Sequence, residues 1–297
     1  MVYPGHNIMN QVIQNMEKQR EFALTQREFE KLTGLVHSLT GIVLGEHKKD
    51  MLYSRLARRL RQLGLQSFSQ YCELLDSRQA GEETGFLVNA VTTNLTKFFR
   101  ESHHFDSLTE HLRSLSMNTE RSKINRSIRI WSAGCSSGEE PYSIASVINS
   151  SVATLKAWDV KVLATDLDTN MIRTGSEGIY KTNSFEGIEG NYRQILEDNV
   201  RRKNDVLHIK EMTKNLVHFK QLNLLHDWPM QRKYDAIFCR NVLIYFDNPT
   251  KNSLVQRYAN LLQPGGMLFL GHSESLHQKP EELRLIGKTT YIKEEAA

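Results

Sequence analysis

The sequence predicts an α/β protein, a doubly wound parallel sheet preceded by a small all-helical domain. Three observations carry this. Before residue 90, apolar residues recur at helical spacing. After residue 125, short apolar runs alternate with stretches long enough for helices. The first of those runs ends in a glycine-containing turn of the kind that opens a strand-to-helix crossover. The chain has 297 residues, 39% hydrophobic and 24% charged, which suffices for one large core or two modest ones.

Residues 1–20 are polar and are expected to form a flexible N-terminus. A helical domain is expected over 21–90 and a second domain over 91–297. "TQREFEKLTGLVHSL" opens with Thr25 and Glu28 at capping-box spacing, and Phe29, Leu32, Val36 and Leu39 follow at helical intervals. "KKDMLYSRLARRLRQLGL" is a second helix, with Leu52, Leu56, Leu60 and Leu63 on its apolar side and Gly64 at its end. "SFSQYCELLDS" and "EETGFLVNAV" read as two more helices.

From residue 125 onward, "SIRIWSA", "VKVLATD", "YDAIFCRN" and "GGMLFLG" read as strands of the parallel sheet. In "VLHIKEMTKNLVHFKQLN", Leu207 and Ile209 alternate with His208 and Lys210. With "EMTKN" as the turn and "LVHF" as the returning strand, this predicts a β-hairpin, part of a small antiparallel excursion over about residues 185–222.

Composition excludes several classes. No run of about 18 apolar residues occurs, so membrane insertion is not expected. The first twenty residues lack the apolar core of a signal peptide. Cys72, Cys135 and Cys239 fit no zinc spacing, and the histidines form no ligand pattern. A cytoplasmic protein with reduced thiols and no metal is expected. The net charge of +4 is too small to imply nucleic acid by itself.

The turn "AGCSSGEEP" follows the first predicted strand. Gly134 and Gly138 let the backbone bend and approach a ligand, at the end of the sheet where α/β proteins bind one. Glu139 and Glu140 would repel a pyrophosphate, and no G-x-x-x-x-G-K-[ST] is present. Taken alone, the turn is either a tight connection with a solvated glutamate pair or a site for a positively charged ligand without phosphate. Asp166, closing the second strand, is placed to accept both hydroxyls of a ribose. Together these features fit S-adenosylmethionine, which carries ribose, adenine and a sulfonium cation. Asp168 reads as an exposed helix N-cap.

The motifs "TTNLTKFFRESHHF", "WSAGCSSGEEPYSIA", "ATDLD", "FCRNVLIYF" and "PGGMLFLGHSES" resemble those of the CheR chemotaxis receptor methyltransferases, and the likeness runs from about Thr25 to Lys293. The resemblance implies an N-terminal helical domain joined to a Rossmann-like S-adenosylmethionine-dependent methyltransferase domain with a small inserted antiparallel β-subdomain. It also implies the reaction: transfer of a methyl group to glutamate side chains on the cytoplasmic helices of chemoreceptors, leaving S-adenosylhomocysteine.

Site residues follow from the same resemblance. Asn94, Thr96 and Arg100 match cofactor contacts. Thr96 and Arg100 lie four apart and would share a face of a helical turn, with Arg100 by the methionine carboxylate and the reactive methyl. Gly134 and Glu140 belong to the turn, where opposite charge would favour Glu140 near a cation. Asp166 matches the ribose ligand. Asn223 and Leu224 match the adenine-side pair, although Leu224 also reads as plain core. Asn241 and Val242 would lie over the cofactor. Tyr245 matches the active-site tyrosine, with a core tyrosine as its alternative. Arg100 and Tyr245 are the catalytic candidates.

Arg55, Arg58 and Arg59 spread along one flank of the second helix. By themselves they read as a solvated basic face or as a surface for acidic partners, nucleic acid included. The resemblance implies that they meet the acidic methylation region of the receptor. One stretch departs from the family pattern: "DNVRRKNDVLHIKEMTKN" has no glycine where tethering members carry a glycine-rich loop, which argues against capture of a receptor's C-terminal pentapeptide. A nucleic-acid methyltransferase and a cofactor-binding scaffold without catalysis are the competing readings. "CRNVLIYF" in place of an Asp/Asn-Pro-Pro-aromatic motif weighs against the first, and the presence of Arg100 and Tyr245 against the second. A monomer acting on the chemoreceptor cytoplasmic domain, without nucleic acid, is expected.

Overall fold

The computed structural model describes residues 20–78, 80–188, 190–276 and 278–294. The segment expected to be a flexible N-terminus, 1–20, lies outside the described residues except for Arg20. The chain divides into two units, the first ending at Thr92 and the second beginning at Thr93.

The first unit is built of α1 (Gln26–Thr40), α2 (Lys49–Leu63), α3 (Phe68–Asp76) and α4 (Gly81–Val91). The capping box is present: Glu28 N donates to Thr25 Oγ1 at 3.3 Å, and Thr25 N donates to Glu28 Oε2 at 2.8 Å. Helix α2 stops at Gly64, whose φ of 69° a side chain would strain. Phe29, Leu32 and Val36 from α1 are buried, as are Leu52, Leu56 and Leu60 from α2, Phe68 and Tyr71 from α3, and Leu87 and Val91 from α4. Each set recurs at three- or four-residue spacing, so each helix gives one face to the core of this unit.

The second unit begins with an extended segment and then α5 (His103–Met117) and α6 (Thr119–Ile124). The sheet follows, with β1 (Ser127–Ala133), α7 (Glu139–Ser151), β2 (Asp159–Asp166) and α8 (Thr169–Glu177). Next come β3 (Ile179–Lys181), α9 (Tyr192–Asn199), β4 (Val200–Lys203), β5 (Val206–Ile209) and the single turn α10 (Glu211–Lys214). The chain finishes with β6 (Val217–Gln221), β7 (Tyr234–Cys239), α11 (Asn248–Leu261), β8 (Leu262–Leu270), β9 (Leu283–Gly287) and β10 (Thr290–Lys293). The main sheet runs β6-β2-β1-β7-β8-β10-β9. Its first five strands are parallel neighbours, and β10 is antiparallel to both β8 and β9.

Successive strand residues feed two separate cores. Ile128 and Ile130 of β1, Ala236 and Phe238 of β7 and Phe269 of β8 join one; Trp131 and Ala133, Ile237 and Cys239, Leu268 and Leu270 join the other. A sheet with both faces covered needs apolar residues at nearly every strand position, hence the unbroken runs in the sequence. From β1 the chain winds to β2 and β6 on one side and to β7 and β8 on the other, so the direction reverses between β1 and β7. Loops leaving the carboxyl ends of these strands surround that reversal, the place where such sheets bind ligands.

The hairpin expected from "VLHI" and "LVHF" does not form. Val206–Ile209 is the middle strand of a three-stranded antiparallel sheet, order β3-β5-β4, whose tight hairpin joins β4 to β5. Val217–Gln221 instead pairs in parallel with β2 in the main sheet, Val162 opposite Val217 and Asp166 opposite Gln221. The antiparallel sheet therefore spans residues 179–209 rather than 185–222. The local pattern located both strands but carries no information about which strand each one joins.

Candidate active site

The extended segment before α5 carries Asn94, Thr96 and Arg100. It is not helical, so Thr96 and Arg100 share no helix face, contrary to the spacing argument. Phe99 and Glu101 adopt left-handed conformations at φ 52° and 55°, on either side of Arg100. Packing holds Phe99 in place: Phe99 N donates to Ser143 Oγ at 3.0 Å, and the Phe99 ring stacks on Tyr192 at 4.6 Å. Ser136 and Asn241, in other loops of the site, also have positive φ. Such conformations persist only where the surroundings hold them, and they gather at functional sites.

The glycine turn follows β1. Gly134 has φ 78°, and a Cβ there would come within 2.3 Å of Val242 Cγ2, so the loops after β1 and β7 touch only because this residue has no side chain. Gly134 N and Cys135 N both donate to Thr165 O, at 2.8 and 2.9 Å, tying the turn to the end of β2.

Asp166 stands at that end. Its Oδ2 accepts Ser136 N at 2.8 Å and its Oδ1 accepts Asp168 N at 2.9 Å. Burial pushes its carboxyl above the ordinary range, and the amide hydrogen bonds pull it back down. The Leu167 amide also faces it, and since a carboxylate has about four acceptor sites, one remains for a further donor. Asn94 is brought to the same place: its Nδ2 donates to Asp168 Oδ2 at 2.9 Å, and its carbonyl accepts Ser136 Oγ at 3.1 Å. Asp168 does cap α8, accepting Asn170 N, but it is buried rather than exposed because Asn94 covers it. Leu222 N donates to Asp166 O at 3.0 Å, which sets Asn223 and Leu224 beside the ribose candidate. Asn223 Oδ1 accepts Leu225 N. Leu224 is buried among the second core cluster with Trp131 and Tyr258, so its side chain is largely core.

Glu140 behaves differently from its expectation. Its Oε1 accepts Ser132 Oγ at 2.7 Å and its Oε2 accepts Arg240 Nη1 at 3.0 Å. Burial pushes its carboxyl up, and Arg240 and Ser132 draw it down. Arg240 is therefore its partner within the protein, shared with Glu101. Arg240 is an unforeseen residue here. Its side chain is 2% exposed, donates to the Arg100 carbonyl and lies 3.4 Å from Glu101. The one sequence signal for it was an arginine at the end of an apolar strand run, since a buried arginine demands an acid.

Arg100 itself is partly exposed; its Nη1 donates to Leu95 O at 2.9 Å, and its Nε lies 3.9 Å from Glu101. Asn241 and Val242 lie just beyond β7 after Arg240, and Tyr245 ends the short 3₁₀ turn Leu243–Tyr245, half-buried rather than core. Thr96 is half-buried on the same segment as Asn94. Asn94, Gly134, Asp166, Asn223, Asn241 and Val242 thus meet at the carboxyl ends of β1, β2, β6 and β7.

The three arginines of α2 lie in the other unit, and two of them turn inward. Arg55 Nη1 donates to the carbonyls of Ala90 and Thr92 at 2.8 and 2.6 Å, capping the end of α4. Arg59 is bidentate to Glu83, which is 5% exposed and also accepts Tyr71 Oη at 2.8 Å, and its guanidinium lies 4.2 Å over the Phe86 ring. Both have partners within the helical unit and are half-buried rather than part of a fully solvated basic face. Arg58 alone of the three is exposed.

A parallel sheet wound in this order, with an acid closing β2 and a glycine turn free of phosphate-binding cations, defines the class of S-adenosylmethionine-dependent methyltransferases. Residues 94–292 match the CheR methyltransferase SAM binding domain, and residues 27–92 match the CheR methyltransferase all-alpha domain. The chain is 38% identical to the chemotaxis protein methyltransferase of Escherichia coli over 93% of its own length and 94% of that protein's. It is 41% identical to chemotaxis protein methyltransferase 2 of Pseudomonas aeruginosa, covering 92% and 95%. Against the probable chemotaxis protein methyltransferase of Rhizobium etli the identity is 39%, covering 86% and 96%. The chain belongs to the CheR methyltransferase family.

Proposed function

We propose that this protein transfers a methyl group from S-adenosylmethionine to glutamate carboxylates on the cytoplasmic helices of chemoreceptors, acting in the cytoplasm as a monomer. The observation that carries the proposal is Asp166, anchored by neutral backbone amides yet keeping acceptor capacity, beside a turn that has carboxylates and no phosphate-binding cation. That donor and acceptor set suits a ribose without phosphate. Asp166 would accept the ribose hydroxyls, Asn94 and Asn223 would border the site, and Gly134, Asn241 and Val242 would line it. Bound there, S-adenosylmethionine supplies an electrophilic methyl on a sulfonium leaving group.

The nucleophile needs no base, because a glutamate is already ionised at neutral pH. The protein's work is alignment and exclusion of water. Arg100 would steer the carboxylate. It shares its guanidinium with the Leu95 carbonyl and Glu101, so it does not clamp the nucleophile and suppress its reactivity. Tyr245 would border the transferred methyl. Arg58 would attract the acidic receptor helices.

Tethering through a receptor's C-terminal pentapeptide is not part of the proposal. The loop joining β4 to β5 is only Asn204 and Asp205, with Asn204 at φ 54° taking the left-handed place a glycine often fills. The test of the function is incorporation of labelled methyl into receptor cytoplasmic fragments. Incorporation is expected to vanish when the methylation-site glutamates are replaced by alanine. Undiminished labelling of those fragments would reject glutamate as the acceptor.

A further inference from the structure

The motif "GHSES", residues 271–275, lies at the end of β8 and holds no residue assigned above. Glu274 in it is 5% exposed. Its Oε2 accepts Asn241 N and Gly271 N, each at 2.7 Å, and its Oε1 accepts Ile244 N at 3.1 Å. The amide of Leu243 also faces it. Glu274 N closes the turn on the Gly271 carbonyl at 2.8 Å. One carboxylate thereby gathers amides from the loops after β7 and β8. The approach is close enough that a Cβ on Gly271 would lie 2.6 Å from Asn241 Nδ2 and 2.7 Å from Glu274 Oε2.

The gathered residues are the ones that shape the site. Asn241 is held in a left-handed conformation, φ 59°, and a carboxylate bound to the amides of residues 241, 243 and 244 sets the curvature of the loop that ends in Tyr245. Buried, multiply hydrogen-bonded anions are costly to leave half-satisfied, so the loop has one favoured shape. We propose that Glu274 is a positioning residue for methyl transfer, acting through the 241–245 loop to place Asn241, Val242 and Tyr245. This rests on the function proposed above.

The experiment compares the full-length wild type with Glu274→Gln, Glu274→Asp and, as a control, Glu281→Gln at an exposed carboxylate. Glutamine keeps the shape but turns one acceptor into a donor facing an amide. Aspartate keeps the charge but is too short to reach Asn241 N and Ile244 N together. Circular dichroism establishes folding, calorimetry with S-adenosylhomocysteine reads the loop without turnover, and labelled-methyl kinetics separate kcat from KM for the receptor fragment. Folded Glu274→Gln should lose about tenfold or more in kcat, bind the product about fivefold more weakly and keep its KM for receptor. Glu274→Asp should fall in the same direction, and Glu281→Gln should match wild type. A folded Glu274→Gln or Glu274→Asp with wild-type kcat and product affinity would overturn the inference; should Glu274→Gln not fold, Glu274→Asp decides alone. If wild type binds the product but methylates no receptor, the functional proposal fails, and the affinity arm still decides the role of Glu274 in shaping the loop.

Discussion

Helix α2 and the loops at the ends of β1 and β2 both present charge in the sequence, and the structure treats the two differently. In α2, Arg59 meets a buried carboxylate and Arg55 meets two carbonyls, so both are consumed inside their own unit. At the strand ends the acids divide. Glu140 is paired with Arg240, a cation it shares with Glu101, whereas Asp166 is held by neutral backbone amides alone. The contrast teaches that neutral amides fix a carboxylate without cancelling its charge, which is what the proposed ribose contact requires of Asp166.

The largest effect that would break this comparison is at Arg59. Arg59→Glu should destabilise the helical unit by about 3–5 kcal/mol, because Glu83 is left buried against a like charge. The unit can be watched separately, since Trp131, Trp158 and Trp228 all lie in the other one. Far-ultraviolet circular dichroism should lose helix on mild heating while tryptophan fluorescence holds. A variant as stable as wild type would return Arg59 to the list of surface residues.

Acid should act on the other unit. His104 is fully buried, its Nε2 on the Lys288 carbonyl, with Glu101, His103 and Arg240 around it. Burial, then Arg240, pushes the imidazole from 6.5 down to about 4. The unfolded chain therefore takes up the proton first, so stability is complete above about pH 6.5 and falls as pH drops toward 4, by at most about 3 kcal/mol from this group. Urea unfolding followed by tryptophan fluorescence should shift to lower midpoint between pH 7 and pH 5. An unchanged midpoint would mean that His104 is not held neutral by its surroundings.

Asp166→Ala should weaken S-adenosylmethionine binding by about 1–3 kcal/mol through loss of a charged acceptor. Calorimetry decides it, and unchanged affinity would remove Asp166 as the ribose contact. The smallest effect is expected at Arg58, the exposed member of the row. Arg58→Glu should leave folding and cofactor affinity intact and lower the rate of receptor methylation by no more than about 1 kcal/mol, with the difference shrinking as salt rises. A salt-independent loss would place the defect elsewhere.

What was legible in the sequence was whatever rests on local physics. Thr25 and Glu28 marked a helix start, Gly64 marked an end, and the apolar runs marked strands buried on both faces. The glycine turn and Asp166 were legible as neighbours because both leave the carboxyl ends of adjacent parallel strands, where the Ser136 amide joins them. What stayed hidden rests on tertiary partners. The spacing of Thr96 and Arg100 suggested a helix, but Phe99 is left-handed and held by contacts with Ser143 and Tyr192 distant in the chain. "LVHF" looked like the return of a hairpin, and its true neighbour is β2. The leucine face of α2 located its arginines on a flank but could not show that Glu83 and the end of α4 would claim two of them.

The central claim is that this site forms a methyl ester on a glutamate carboxylate. It is tested most directly by incubating the protein with methyl-labelled S-adenosylmethionine and a receptor cytoplasmic fragment, isolating the labelled fragment and treating it with mild base. The account predicts that the label leaves as volatile methanol, as an ester requires. Label that stays on the fragment through base would show transfer to nitrogen or another atom and contradict it.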